Sequence, residues 1–262
     1  MRVLSRVVTV PSDLRRWMGF YDSFKDTGLQ PEVFPCVPLT DPRIRRYGCK
    51  VRARQREGSL FVYFTSSVKD AMDGGYDAVM LYEDDARPVH QDVQNRFNAV
   101  VSSLPGDFGI CYMGGYFRPL SKGRPVDAGD GLKEILLEKK QVLNIWGTHA
   151  LLIGRSAYKT VLDAAVHPVS LVTDRFFTHD VAPKVRVFAA YPPLFVQDPV
   201  SNTLSDCSGA LHGRFDFAEL ENMSRTWFES GGSLKVTSLE RHRNDAAGRR
   251  KTLTDRVQHL RR

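Results

Sequence analysis

The chain has 262 residues, 42% of them apolar, with a formal net charge of +7 and an isoelectric point near 9.3. This size and apolar content suit one large α/β domain, or one domain with a small appendage. No run approaches the roughly 18 apolar residues that cross a bilayer, and residues 1–6 lack the apolar segment of a signal peptide, so we expect a cytoplasmic protein without a transmembrane segment.

The first half of the chain alternates between strand and helix patterns. Residues 7–10 are β-rich and precede a turn and N-cap signal at 11–13, after which residues 14–24 have apolar positions at helical spacing. We then expect a strand at 32–37, a helix at 59–72 and a buried strand at 77–82.

The second half continues the alternation. We predict a helix at 91–103, a strand at 109–113 closed by two glycines, a polar loop at 120–130, a strand at 146–153 and a helix at 156–165 with Ser156 as its cap. This order predicts a mostly parallel central sheet flanked by helices. We divide the chain into a domain at 1–206, its C-terminal extension at 207–239 and a basic tail, helical or disordered, at 240–262.

An acidic cluster, Glu83-Asp84-Asp85, follows the apolar run 77–82. A buried strand cannot hide unpaired carboxylates, so they must emerge at its carboxyl end, where open α/β sheets bind ligands. Carboxylates are the oxygen ligands that Mg²⁺ and Mn²⁺ prefer beside a diphosphate. The alternative is that the acids begin the next helix and favour its dipole. Pro88 disfavours that alternative, because it biases the preceding residue toward extended geometry.

Five sequence blocks together resemble glycosyltransferase family 25, which includes lipopolysaccharide and collagen galactosyltransferases. They are Val-Val-Thr-Val-Pro-Ser-Asp-Leu-Arg-Arg at 7–16, the block 73–85 that ends in the acids, Cys-Tyr-Met-Gly-Gly at 111–115, Gly-Thr-His-Ala-Leu-Leu-Ile at 147–153, and the 197–201 region. The resemblance implies a GT-A fold, a nucleotide-diphosphate sugar donor that is usually UDP-linked, a divalent cation and inversion at the anomeric carbon. The stretch 58–63 departs from the family pattern, because it lacks a Ser-His pair.

The resemblance also suggests roles for the acids. Asp85 is the expected metal ligand, Glu83 would face the nucleotide ribose or join the metal, and Asp84 is a further donor-binding candidate. An inverting displacement needs a base near the attacking hydroxyl, for which Asp174 ranks first and Asp180 second. The alternative for Asp174 is a salt bridge to Arg175 or a helix cap.

Other residues are candidates for binding the sugar donor. The two histidines of the matching regions, His149 and His179, could contact the diphosphate or complete the metal site, or be hydrogen-bonded structure. Gly114 and Gly115 could admit the donor to the backbone or form a tight turn. Arg15 and Arg16 could meet the nucleotide phosphates or lie on a helix surface.

The positive charge is confined to two segments. Residues 43–56 contain seven basic residues and no acid, and the tail is also basic; the acceptor-binding candidates are Arg43, Arg45, Arg46, Tyr47, Lys50, Arg52, Arg54, Arg249, Arg250 and Lys251. Such confinement indicates a polyanionic partner, or else a solvated surface.

Three functions follow from this charge. We favour transfer of a hexose to a hydroxymethylated base in DNA, with Tyr47 stacking on a base. The alternative acceptor is a lipopolysaccharide or other phosphorylated glycan, with the apolar positions 253, 257 and 260 of the tail contacting the membrane. The third hypothesis is a non-catalytic nucleic-acid-binding protein on a transferase scaffold.

Cysteine spacing and missing motifs narrow the chemistry further. Cys36, Cys49, Cys111 and Cys207 show no CxxC spacing, so neither a zinc site nor a disulfide framework is expected. The sequence contains no GxxxxGK[ST], GxSxG, HExxH or GxGxxG motif, which disfavours P-loop, serine-hydrolase, zinc-peptidase and Rossmann redox chemistry.

Overall fold

The computed structural model describes residues 1–9, 14–38, 40–45, 52–118, 123–138, 142–198 and 217–232, with the backbone alone at 14, 15, 52–56, 217 and 219. Its strands are β1 (Val3–Thr9), β2 (Glu32–Pro35), β3 (Ala78–Glu83), β4 (Ala86–Pro88), β5 (Ile110–Phe117), β6 (Arg124–Gly129), β7 (Leu132–Leu136), β8 (Ile145–Gly154), β9 (Val187–Ala190) and β10 (Phe195–Gln197). Its α-helices are α1 (Leu14–Phe24), α2 (Pro42–Arg45), α3 (Arg52–Asp73), α4 (Val93–Ser103), α5 (Arg155–Ala164), α6 (Thr173–Phe176) and α7 (Phe217–Glu229). A π-helical turn, Phe177–Val181, continues α6.

Eight strands form the central sheet in the order β2-β1-β3-β8-β5-β9-β7-β6. Six of them run in one direction, and β8 and β7 run in the other. The α/β prediction with a central sheet flanked by helices is therefore confirmed. Because β8 lies antiparallel between β3 and β5, its first residues reach the same edge of the sheet as the carboxyl end of β3.

Helices cover both faces of the sheet. Along β3, Val79 and Leu81 pack on the side of α3, α5 and α6, whereas Met80 and Tyr82 pack on the side of α1 and α4. This alternation follows from the two-residue period of a strand, and burial on both faces explains the unbroken apolar run of β3.

The C-terminal helix α7 contributes to this core. Trp227 is fully buried and stacks on Phe117 of β5 with 5.0 Å between ring centroids. The domain boundaries assigned from the sequence fall outside the described residues and stay predictions.

Three local predictions were wrong. The strand that was expected to close at the glycines continues to Phe117, because its pairing with β8 resumes after register shifts around Gly114. Part of the expected 120–130 loop is β6, a polar edge strand that pairs with β7. Ser156 does not cap α5, whose N-cap is Gly154; its hydroxyl instead donates to the Phe108 carbonyl.

Two free cysteines, Cys36 and Cys111, lie in the described part of the chain. No helix in that part is long and apolar enough to span a membrane.

Candidate functional site

The acidic cluster lies where β3 ends. Glu83 is the last residue of β3, and Asp84 and Asp85 form the turn that leads into β4. All three are buried, with Asp85 only 1% exposed. The acids therefore do not begin a helix, and the alternative that placed them at a helix N-terminus is wrong.

A buried arginine balances two of these carboxylates. Arg16 of α1 lies 2.5 Å from Asp84 Oδ1 and 3.1 Å from Asp85 Oδ2, and is itself only 7% exposed. A buried ion pair is held by close geometry and further hydrogen bonds, because desolvation offsets much of its attraction. The sequence left Arg15 and Arg16 as candidates either for the nucleotide phosphates or for a helix surface; Arg16 reaches the acids, and the side chain of Arg15 lies outside the described residues.

A distant strand completes the surroundings of Asp85. The two-stranded β10–β4 pair aligns Gln197 with Ala86. The Gln197 amide then donates to Asp85 Oδ2 over 2.8 Å, and the Asp198 N–H donates to the Asp85 carbonyl over 2.8 Å. Sequence reasoning missed Gln197 as a partner of the acids, although it belongs to one of the five resembling blocks.

Glu83 has a different environment. Burial, together with the charge of Asp85, raises the pKa of its carboxyl group to about 8. Its Oε1 accepts a hydrogen bond from the Thr148 hydroxyl over 2.9 Å, and Thr148 in turn lies 3.0 Å from the Thr173 hydroxyl of α6. Glu83 thus links the acidic turn to β8 and α6, and its raised pKa favours the neutral form at pH 7.

His149 lies beside the same turn, on β8. It is 1% exposed, and burial lowers its pKa, so the imidazole is neutral. Its Nε2 lies 3.3 Å from the Phe195 carbonyl. When Nε2–H donates to that carbonyl, Nδ1 carries the lone pair, and Nδ1 is buried without a hydrogen-bond partner.

Two glycines leave room for His149. A Cβ on Gly114 would lie 2.5 Å from His149 Nε2 and 2.5 Å from the Phe195 carbonyl oxygen. Gly147 has a φ of +80°, and a Cβ there would lie 2.8 Å from His149 Nδ1. A Cβ on Gly115 would lie 3.3 Å from the Gly147 carbonyl. Gly114 is therefore required for close packing within the protein; its contact with a donor, and that of Gly115, stay predictions.

Two unpartnered atoms fit a divalent cation. Asp85 Oδ1 is buried without a hydrogen-bond partner, as is His149 Nδ1, and the charge of Asp85 acts on His149. The carboxylate oxygen suits Mg²⁺ or Mn²⁺, which complete their coordination with water and diphosphate oxygens, and the neutral imidazole favours a transition-metal ion such as Mn²⁺ over Mg²⁺. The expected set of Asp85, Glu83 and His179 is not brought together: no group of three His, Cys, Asp or Glu side chains within the described ranges could hold a metal.

Asp174 is the second residue of α6 and lines a cavity of about 440 Å³ with Arg118, Trp146, Arg175 and His179. Burial raises the pKa of its carboxyl group, against the opposing effect of hydrogen bonds from the Arg175 and Gly147 N–H groups. The bond from Arg175 N is 2.6 Å long, so the contact with Arg175 is made through its backbone.

Two further candidates of the same segment, Asp180 and His179, lie in different surroundings. Asp180 is buried, and its Oδ2 accepts a hydrogen bond from Val169 N over 2.9 Å. His179 is exposed and lines the cavity, on the same side as Asp174. The structure thus gives Asp180 a backbone partner and separates His179 from Asp85.

The basic segment is described only in part. The Arg43 guanidinium lies 2.9 Å from Asp41 Oδ2 and 3.1 Å from the Ser66 hydroxyl, and Arg45 is exposed. Arg52 and Arg54 belong to the first turn of α3, with their side chains not described. The other acceptor-binding candidates lie outside the described residues; they are Arg46, Tyr47, Lys50, Arg249, Arg250 and Lys251.

No family model matches the chain, and no curated protein matches it. Solved structures similar to it include three transferases. A glycosyltransferase involved in the glycosylation of the major capsid of PBCV-1 is 10% identical over 80% of this chain and 98% of its own, with a TM-score of 0.42. A mannose-1-phosphate geranyltransferase from Thermus thermophilus is 12% identical over 76% and 75%, with a TM-score of 0.40. A Drosophila β1,4-galactosyltransferase 7 variant, in complex with manganese, UDP-Gal and xylobiose, is 11% identical over 84% and 79%, with a TM-score of 0.37.

Proposed function

We propose that this protein is a metal-dependent glycosyltransferase that moves a hexose from a nucleotide-diphosphate sugar, UDP-linked, to a hydroxyl group of an anionic acceptor, with inversion. The observation that carries the proposal is the position of Asp85 and His149 at the carboxyl edge of β3. The neighbouring Glu83 is linked by two hydrogen bonds, through Thr148, to Thr173, which precedes Asp174 at the cavity. The resemblance of the sequence blocks to glycosyltransferase family 25 supports it independently.

On the donor side, Asp85 and His149 would hold the cation through the two atoms that lack partners. A bound divalent cation would offset the negative charge that develops on the departing diphosphate. Arg16 keeps Asp84 and Asp85 partly neutralised, so the cluster does not require a cation to fold.

On the acceptor side, Asp174 is the proposed base. Its raised pKa makes it a better proton acceptor than an exposed aspartate, because burial disfavours the charged form. Hydrogen bonds from Arg175 N and Gly147 N fix the carboxylate while one side faces the cavity. Asp174 would remove the proton from the attacking hydroxyl while the hydroxyl oxygen bonds to the anomeric carbon and the bond between that carbon and the departing diphosphate breaks.

The chain of hydrogen bonds between the two sides supports a single site. Glu83 accepts from Thr148, which lies beside Thr173, the residue before Asp174. Displacement of any member would therefore change the distance between donor and base, and positional errors of about 1 Å can cost a reaction about 100-fold.

The test is donor turnover with a panel of UDP-sugars and Mn²⁺, in the presence of hydroxymethylated DNA, unmodified DNA or a phosphorylated saccharide. Metal-dependent release of UDP with transfer to an acceptor is the expected result. Transfer to the modified DNA alone would identify a DNA glycosyltransferase, and transfer to the saccharide alone an enzyme of glycan synthesis. Binding of DNA with a steep salt dependence and no turnover of any donor would contradict the proposal and favour a nucleic-acid-binding protein.

The matched variants are Asp85→Asn and Asp22→Asn. Asp22 is an exposed aspartate of α1 that pairs only loosely with Lys25, at 3.4 Å. The first substitution should abolish the stimulation by Mn²⁺, and the second should leave it unchanged. Equal activity of both variants would remove Asp85 from the metal site.

A further inference from the structure

The two carboxylate oxygens of Asp85 have different surroundings. Oδ2 accepts a hydrogen bond from the Gln197 amide over 2.8 Å and lies 3.1 Å from the Arg16 guanidinium. Oδ1 is buried, and no group among the described residues forms a hydrogen bond with it. We propose that Gln197 is a positioning residue, which holds Oδ2 and leaves Oδ1, in a fixed direction, as the atom that binds the cation. This inference rests on the proposed function, which supplies the reason for a cation at Asp85.

The hydrogen bond from Gln197 fixes the plane of the Asp85 carboxylate. The χ2 torsion of an aspartate is broad, so the plane can rotate at small cost unless a neighbour restrains it. The Arg16 guanidinium is shared with Asp84 Oδ1, from which it lies 2.5 Å, and its contact with Asp85 is the longer of the two. The bond from the Gln197 amide has the ordinary length for N–H···O, and such bonds weaken steeply when they are misaligned. Rotation of the carboxylate would therefore break it.

The backbone of Gln197 is itself held on both sides. Its N–H donates to the Tyr116 hydroxyl of β5 over 3.2 Å, and the N–H of the next residue, Asp198, donates to the Asp85 carbonyl over 2.8 Å. The pairing of β10 with β4 also aligns Gln197 with Ala86, the residue after Asp85. The side chain of Gln197 therefore leaves a backbone whose place beside the acidic turn is fixed, as the hydrogen-bond partner of a metal-binding carboxylate requires.

The other end of the same amide faces the second proposed ligand, His149. A Cβ on Gly147 would lie 2.8 Å from His149 Nδ1 and 4.0 Å from Gln197 Oε1, so both atoms border the hollow that this glycine leaves. The ring of Tyr116, whose hydroxyl accepts from Gln197 N, has its centroid 5.6 Å from that of His149. Gln197 thus contacts Asp85 through Nε2 and borders the hollow beside His149 through Oε1. From this position it can hold Asp85 in a constant place relative to His149.

The experiment measures the binding of Mn²⁺ to the full chain, without donor or acceptor, from the electron paramagnetic resonance signal of free Mn²⁺. The variants are Gln197→Met, which keeps the length of the side chain and removes the donor, and Gln197→Asn, whose amide is one methylene shorter. Asp85→Asn shows which part of the binding belongs to this site. The matched control is Gln94→Met, at an exposed glutamine of α4. Urea unfolding of every variant is measured in parallel.

We expect both Gln197 variants to weaken the binding of Mn²⁺ by about 10–100-fold, the usual effect of removing a hydrogen-bond partner from a metal ligand, and Gln94→Met to leave the Kd unchanged. At saturating Mn²⁺ the electron spin echo modulation from an imidazole nitrogen should persist in the Gln197 variants, because His149 stays in place. A purely structural role of Gln197 would lower the unfolding midpoint in urea and leave the Kd of the folded variants unchanged.

Gln197 variants that bind Mn²⁺ as tightly as the natural protein, while Asp85→Asn binds it weakly, would overturn the inference and leave the metal site in place. Loss of the imidazole modulation in the Gln197 variants would overturn a role that acts through Asp85 alone. A natural protein that binds no more Mn²⁺ than Asp85→Asn would overturn the inference together with the metal-dependent function. Weakened Mn²⁺ binding in the Gln197 variants, without turnover of any donor by the natural protein, would refute the transferase and leave the positioning role established.

Discussion

Arg16 offers the sharpest test of how the acidic turn is held. Replacing it by glutamine leaves Asp84 and Asp85 buried without the guanidinium that lies 2.5 and 3.1 Å from them. Removing one partner of a buried ion pair costs about 3–5 kcal/mol, because the remaining charge stays desolvated. We expect the free energy of unfolding to fall by that amount in urea titrations at pH 7.5.

The control is an ion pair of the same length at the surface. Lys159 and Asp163 also lie 2.5 Å apart, but their side chains are 83% and 64% exposed. Lys159→Gln should therefore cost less than about 1 kcal/mol. The double variant Arg16→Gln/Asp84→Asn should recover part of the loss, since it removes one of the two buried acids.

Mn²⁺ provides the second measurement. If Asp85 and His149 bind the cation, Mn²⁺ should stabilise Arg16→Gln more than the natural protein, because the cation then replaces the missing positive charge. At a concentration 100 times the Kd the gain is about 2.7 kcal/mol. Equal losses in Arg16→Gln and Lys159→Gln would refute the buried pair. The absence of any stabilisation by Mn²⁺ in either protein would refute the metal site, and equal stabilisation of both would refute its coupling to Arg16.

Three further substitutions test the site and the core. Asp174→Asn should abolish transfer. Its stability should match that of the natural protein near pH 3 and exceed it at higher pH, because the raised pKa of Asp174 means that ionising the buried carboxyl group destabilises the native state. Urea midpoints of the two proteins that run parallel across pH 3–8 would contradict this. Gly114→Ala should lower stability by about 1–3 kcal/mol and reduce turnover, since its Cβ would lie 2.5 Å from His149 Nε2, and thermal unfolding together with kcat measures both effects. Trp227→Ala should cost about 3–5 kcal/mol in urea unfolding, because the ring is fully buried against Phe117; a loss below about 1 kcal/mol would separate α7 from the core.

The sequence alone predicted the elements that depend on local pattern. The buried strand β3 follows from its continuous apolar run, and its end at the acids follows from the cost of placing unpaired carboxylates inside a sheet. The acids are nevertheless buried, because Arg16 pairs with Asp84 and Asp85. Helix α1 follows from helical spacing, and its bounds agree with the prediction. Each of these predictions needs only residues that are neighbours in the chain.

Tertiary structure decided which residues surround the acids. Gln197 reaches Asp85 across 112 residues because β10 pairs with β4, and Thr148 reaches Glu83 because β8 is antiparallel to β3. The sequence could not predict that Arg16 pairs with the acids, since that contact depends on the rotation of α1 against the sheet. It could not predict the raised pKa of Glu83 either. That shift comes from burial and from the nearby charge of Asp85, which acts strongly only when the assembled strands exclude water from both groups.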